Sequence, residues 1–278
     1  MESQPSFLSN LSKGISMRIK RIISPSKKFR LNPIHKTYLK HVPSNKIHTT
    51  KLFGKTFYYR GGPDFLMGVE EIFSHEIYKQ SLPENAVILD CGAHIGMSVI
   101  YLKRLCPTAE LTAFEPDKKN FEILSKNVAS FGFEKVTILN KVVWDNDTKL
   151  NFYSEGNMSS RVEENMINAE SIEACRLYNF LDRHIDFLKM DIEGAEYRVL
   201  KDIEPRLKNV DKIFIEYHGT FNENNEFIEM LQILNRQGFE FYLKEAGEVY
   251  VQPFTGVRSP AIYDLQINLF GIRKNKLQ

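Results

Sequence analysis

Four short runs of this chain place acids and a histidine where apolar strands should end. The first is Val87-Ile88-Leu89-Asp90-Cys91-Gly92-Ala93-His94-Ile95-Gly96-Met97-Ser98, a strand that meets an acid, turns through glycines and enters a helix. Glycines at such a turn let the main chain approach a ligand that a side chain would block. The second run, Leu111-Thr112-Ala113-Phe114-Glu115-Pro116, ends in an acid placed to accept hydrogen bonds from ribose hydroxyls. In the third, Asp191 and Glu193 share one side of an extended run, and a helix starting near Gly194 stacks Glu196 one turn beyond Glu193. The fourth ends at His218, with Glu216 on its side and Tyr217 opposite. Together they describe a crevice for a nucleoside beside groups able to take a proton from an alcohol.

Each of these residues also has a plain structural use. Gly92 and Gly96 would serve close helix–strand packing, and Glu193 and Glu196 would offset a helix dipole. His218 would bond to main chain at a strand end. Asp191, Glu216 and His218 are conceivable ligands for a divalent metal, but their spacing is no metal signature and no metal is expected.

The elements that must position these residues alternate from Val87 onward. Strands over Val87 to Leu89, Leu111 to Phe114 and Val136 to Val143 are separated by helices over Met97 to Leu105 and Lys119 to Phe131. Asp186 to Asp191 and Lys212 to His218 add a fourth and fifth strand around a helix over Glu196 to Ile203. That order predicts right-handed βαβ units on a mostly parallel sheet. Phe239 to Glu245 and Leu265 to Ile272 alternate as an antiparallel pair that closes the sheet edge. Upstream, Phe65 to Gln80 predicts one helix, with Phe65, Val69, Ile72, Phe73 and Ile77 on its apolar face. Between Asp145 and Arg183 the pattern breaks, and this insertion is expected to overhang the strand ends, with Ser159, Ser160 and Arg161 as acceptor-binding candidates.

Of the 278 residues 42% are hydrophobic, enough for one full catalytic core at 64–278. Residues 1–63 form a basic arm and linker, with thirteen Lys or Arg against Glu2 alone, although the whole chain carries only +2. A short strand or hairpin is expected within Lys51 to Tyr59. Over Phe7 to Ile23, Leu8, Leu11, Ile15, Ile19 and Ile22 recur at helical spacing among Lys and Arg. Residues 7–30 thus read either as a solvated leader or as a peripheral contact for an anionic membrane. No apolar run is long enough to span a bilayer, and three cysteines without metal-ligand spacing point to a reducing, cytoplasmic setting. The arm has few aromatics interleaved for base stacking, so nucleic acid is not an expected partner.

The loop Asp90-x-Gly92-x-His94-x-Gly96 lacks the glycine spacing of a dinucleotide fingerprint, and Asp90 would repel a pyrophosphate. A sulfonium with an amino-acid tail has the opposite electrostatics, which favours S-adenosylmethionine over NAD. The runs Ile88 to Ser98, Ala113 to Pro116 and Phe187 to Glu196 together resemble the FkbM family of S-adenosylmethionine-dependent methyltransferases. The resemblance covers about Phe65 to Arg273. It implies a class I methyltransferase fold, Rossmann-like, and methyl transfer to a hydroxyl, usually of a sugar or a polyketide-type product. It also implies that Asp90, Gly92 and Gly96 hold the methionine part, with Ala93, His94 and Ser98 in the same binding run and Glu115 at the ribose. His94 stands where the family more often has Asn, and both residues tolerate left-handed backbone. Val142, after the third strand, falls where an adenine would lie. Asp191, Glu193 and His218 are the catalytic candidates, and the expected partner is a small-molecule or glycan acceptor. A nicotinamide-dependent oxidoreductase and a non-catalytic binding module on the same fold are the rival readings.

Overall fold

The computed structural model describes residues 31–153, 161–162, 170–259 and 261–274. The amphipathic stretch within 7–30 lies outside the described residues, as do Ser159 and Ser160, and Arg161 is described in its backbone alone.

The described chain opens with α1 (Pro33–Leu39), capped by the Asn32 side chain, and the expected hairpin of β1 (His48–Leu52) and β2 (Lys55–Tyr59). Leu39, Leu52, Phe57 and Tyr59 are buried in the same core as Ile100 and Leu124. Next comes α2 (Gly62–Gly68), which widens into a π-helical turn over Val69–Ser74, where the His75 amide reaches back to the Glu70 carbonyl at 2.8 Å. The single helix expected to Gln80 is therefore corrected: it ends near Ser74, and Glu76 takes a left-handed φ of 53°. Over one turn an apolar stripe cannot distinguish a 3.6-residue period from the wider one.

The main sheet begins with β3 (Val87–Cys91), α3 (Met97–Leu105), β4 (Glu110–Phe114), α4 (Lys118–Phe131) and β5 (Val136–Leu139). Asp117 caps α4 by accepting from the Asn120 amide at 2.9 Å, and Gly132 ends it in left-handed conformation. From α4, Asn127 grips the hairpin, accepting from the Tyr58 amide at 2.7 Å and donating to the Tyr58 carbonyl at 2.9 Å. The single strand expected from Val136 to Val143 is instead two. Asn140 donates to the carbonyls of Glu115 and Pro116, both at 2.9 Å, and the chain leaves the main sheet there. It continues as β6 (Val142–Trp144), β7 (Thr148–Tyr153), β8 (Arg161–Val162) and β9 (Glu170–Arg176), a second sheet in the order β6-β9-β7-β8.

The chain returns through β10 (Phe187–Met190), α5 (Glu196–Ile203), β11 (Lys212–Gly219) and α6 (Asn224–Arg236). It ends with β12 (Phe239–Glu245), a small hairpin of β13 (Tyr250–Gln252) and β14 (Val257–Arg258), and β15 (Leu265–Arg273). The seven-stranded sheet has the order β12-β15-β11-β10-β3-β4-β5, with β15 antiparallel to both neighbours and the other pairs parallel. This is the mostly parallel α/β sheet with an antiparallel C-terminal pair expected from the sequence. Strand order reverses at β3, with β4 on one side and β10 on the other, and ligands of open α/β sheets bind beyond the carboxyl ends of such strands.

Candidate active site

Asp90, one residue from the end of β3, is fully buried. Its Oδ2 accepts from Ser98 Oγ at 2.5 Å, and its Oδ1 lies 3.2 Å from Lys189 Nζ with no donor aligned on it. The parallel register sets Lys189 of β10 directly across from Asp90, so the two side chains emerge on one face. Lys189 Nζ also donates to the Gly92 carbonyl at 2.6 Å and lies 3.3 Å from Asp191 Oδ2. Burial disfavours the ammonium, but Asp90 and Asp191 outweigh it and hold the Lys189 pKa well above its ordinary value. Asp90 thus has its counter-charge inside the fold and ties the end of β3 to β10 and, through Ser98, to α3.

The glycines of that turn serve packing first. At Gly92, with φ of 86°, a Cβ would stand 1.8 Å from the Asp191 carbonyl oxygen. At Gly96, with φ of 91°, it would stand 2.7 Å from Leu124 Cδ1 of α4. Ala93 and Gly92 both donate to the Phe114 carbonyl, at 2.9 and 3.0 Å. His94 adopts the left-handed backbone its residue type tolerates, with φ of 49°. Burial lowers its imidazole to about 4, so it is neutral.

Glu115 ties this turn to the next. Its Oε2 accepts from the His94 amide at 2.7 Å and its Oε1 from the Asp117 amide at 2.9 Å. Burial pushes the carboxyl up to about 8 despite those two donors. Val142 is buried against Ala174 in the second sheet and does not line the cavity described below.

A cavity of about 890 Å³ opens beside Gly92, Ala93, His94 and Ser98 and reaches Asp191, Glu193, Glu216 and His218. The ligand-capable atoms of Asp191, Glu193 and His218 lie within 4.8 Å of one another. Thus the structure gathers the three catalytic candidates from the ends of β10 and β11. His218 is boxed by three carboxylates: its Nδ1 is 3.4 Å from Glu196 Oε1, and its Nε2 is 3.6 Å from Glu216 Oε1 and 3.8 Å from Glu193 Oε2. Burial works against the imidazolium, yet Glu196, Glu216 and Glu193 together hold the His218 pKa well above the usual histidine value. The three carboxylates thus favour its protonated, donating form over the free base that its strand-end position suggests. Burial raises Glu193 to about 8 against the pull of His218, with Asp191, Glu196 and Glu216 adding like charge. Glu193 also carries a left-handed φ of 58°, and its carbonyl accepts from the Tyr263 hydroxyl at 2.9 Å. Glu196 is fully buried and accepts from the amides of Ile192 and Gly194 at 3.0 Å. It shapes the Asp191 to Gly194 turn and orients His218.

Lys189, Glu71, Tyr263 and Asn268 also line the cavity and escaped the sequence reading. A lysine flanked by Phe187, Leu188 and Met190 in a buried strand signals a buried counter-charge. Tyr263 and Asn268 lie far down the chain, where nothing local marks them. Eight carboxylates line the cavity against two lysines, Lys189 and Lys244. That lining suits a cation and opposes a pyrophosphate.

Residues 90–241, more than half of the chain, match the Methyltransferase FkbM domain. Among curated relatives, the chain is 25% identical over 199 residues to Methyltransferase 1 of Beauveria bassiana (strain ARSEF 2860), covering 61% of this chain and 79% of that protein. It is 29% identical over 174 residues to Methyltransferase sdnD of Sordaria araneosa, covering 49% of this chain and 67% of that protein. Among solved structures it is similar to Methyltransferase FkbM from Methylobacillus flagellatus KT, with a TM-score of 0.47 and 18% identity across 74% of this chain, and it spans 47% of that protein's length. The family match and the two curated relatives are methyltransferases, which sets the oxidoreductase reading aside. The chain belongs to the FkbM methyltransferase family and is an S-adenosylmethionine-dependent methyltransferase on an α/β, class I fold.

Proposed function

We propose that the protein is an O-methyltransferase that methylates a sugar hydroxyl of a glycan or glycan precursor. One observation carries this reading: Asp191, Glu193 and His218 converge on a single cavity that is continuous with the Gly92 to Ser98 turn. S-adenosylmethionine supplies an electrophilic methyl group on a positively charged sulfur. For this donor, Glu115 would take the ribose hydroxyls, and the turn from Gly92 to Ser98 would frame the methionine part, with Asp90, Ala93, His94 and Gly96 holding its shape.

The acidic cavity favours the sulfonium and receives the acceptor on the Asp191 and His218 side. His218, charged and held by Glu196, donates a hydrogen bond that orients the acceptor oxygen. Glu193, with its carboxyl near the operating pH, takes the hydroxyl proton as the new bond forms, and Asp191 helps to hold the oxygen in line. Catalysis then rests mainly on alignment, with a smaller contribution from proton transfer.

Cys91, Cys106 and Cys175 are buried and free, which supports a reducing, cytoplasmic location. Among the described residues, no helix is long and apolar enough to cross a membrane. We assign to residues 7–30 a peripheral contact with an anionic membrane surface, checked by co-sedimentation with anionic vesicles before and after their deletion. The acceptor is tested by incubating the protein with an extracted glycan pool and methyl-labelled S-adenosylmethionine. Mass spectrometry should find the label as a methyl ether on a hexose or deoxyhexose; label confined to protein or nucleic acid would reject the assignment.

A further inference from the structure

One wall of the cavity has no individual role in the methyl-transfer steps proposed above beyond the contact of Glu216 with His218. Glu216 of β11 stands directly across from Asn268 of β15, and Asn268 across from Lys244 of β12. Asn268 is 1% exposed, and its Oδ1 accepts no hydrogen bond among the described residues. A buried amide oxygen without a donor is costly unless a ligand supplies one. Facing the same space from the π-helical turn is Glu71.

Most other acids of the cavity have a cation. Glu70 pairs with Lys36, Glu76 with Lys79 and Asp191 with Lys189, and Glu193 and Glu216 share His218. Glu71 has no such ion pair among the described residues. Burial, with Glu216 and Asp191 as like charges, pushes its carboxyl up to about 7, with Lys244 among the charges that partly oppose the rise. The wall therefore offers two carboxyl groups and a buried amide oxygen without a donor, with Lys244 beside them.

We propose that the acceptor carries a protonated amine, and that Glu71, Glu216 and Asn268 bind it while a hydroxyl of the same molecule is methylated. This rests on the methyl-transfer reading of the cavity and narrows it. An ammonium has three donors and one charge, which matches two carboxylates and one amide oxygen. A phosphorylated or nucleotide-linked sugar would set its negative charge against the same carboxylates. An amino sugar combines the required amine with neighbouring hydroxyls.

The test uses the full chain saturated with S-adenosylhomocysteine at neutral pH, titrated with glucosamine, glucose and glucose 6-phosphate, which share a ring and differ in charge. Glucosamine should bind about tenfold more tightly than glucose, and glucose 6-phosphate more weakly than either. Glu71→Gln and Asn268→Leu should each bring glucosamine and glucose to within about twofold, while Asn268→Asp should widen the gap. S-adenosylhomocysteine affinity should stay unchanged in all three variants, which shows that they fold. Equal affinity for the three sugars, a preference for the phosphate, a preference that survives both Glu71→Gln and Asn268→Leu, or displacement of glucosamine by Mn²⁺ would overturn the amine subsite while leaving methyl transfer standing. Failure of S-adenosylhomocysteine to bind at all would instead remove the methyl-transfer reading on which it rests.

Discussion

Lys189 and Asp90 face each other across the parallel strands β10 and β3, 3.2 Å apart and shut away from water. The pair fastens the turn at the end of β3 to the strand that delivers Asp191, so both are built on one ion pair. Removing one partner strands the other as an uncompensated buried charge. Lys189→Met should therefore destabilise the protein by about 3–5 kcal/mol in chemical denaturation. The double variant Asp90→Leu with Lys189→Met should recover much of that loss. A single variant as stable as the wild type would show that the pair does not hold the turn.

Gly92 tests whether this turn is shaped for packing. A Cβ there would collide with the Asp191 carbonyl oxygen at 1.8 Å, whereas at Gly132, also at positive φ, it would meet open space. Gly132→Ala should cost about 1–2 kcal/mol from backbone strain alone. Gly92→Ala should cost clearly more, or yield no folded protein, because backbone must move. Thermal denaturation of both checks this, and equal losses would contradict it.

Glu115 gives the fold a pH dependence of definite sign. Its folded carboxyl sits at about 8, above the ordinary glutamate value of 4.5. The folded state thus holds the proton more tightly than the unfolded chain. The resulting stability is full below 4.5 and is lost as pH rises through about 8. Denaturation midpoints measured across that window should fall with pH in the wild type and fall less in Glu115→Gln. The same variant should weaken S-adenosylmethionine binding, since it replaces the carboxyl that accepts from the His94 amide.

The acceptor-side trio should affect turnover more than donor affinity. Glu193→Gln should lower kcat/KM by about 10²–10⁴-fold, with S-adenosylmethionine affinity changed by less than about threefold. His218→Asn should also lower turnover. In the wild type, kcat/KM should rise with pH as Glu193 loses its proton near 8. A flat profile, or full turnover by Glu193→Gln, would remove it as the proton acceptor.

Much of this was legible in the sequence because parallel strands buried on both faces leave apolar runs, as Val87 to Leu89 and Ile213 to Ile215 do. Polar residues at the ends of such strands marked Asp191 and His218. Less legible were features set by contacts distant in sequence. The parting of β5 from β6 depends on Asn140 reaching the carbonyls of Glu115 and Pro116. The protonated state of His218 depends on Glu196 and Glu216 closing around it, which spacing alone does not reveal. Asp90 reads in the sequence as an anion that would repel a pyrophosphate, because nothing local shows that register places Lys189 opposite it. Likewise, the sequence left both a ligand and close packing open at Gly92 and Gly96, and only the fold shows how near Asp191 and Leu124 come.

The account stands most directly on where the donor sits. A crystal structure of the full chain with S-adenosylhomocysteine should show the ribose hydroxyls on Glu115, the amino-acid part along Gly92 to Ser98, and the sulfur facing the space between Asp191 and His218. Density for the ligand elsewhere, or a crevice at Glu115 closed by its own side chains with the ligand present in excess, would contradict it.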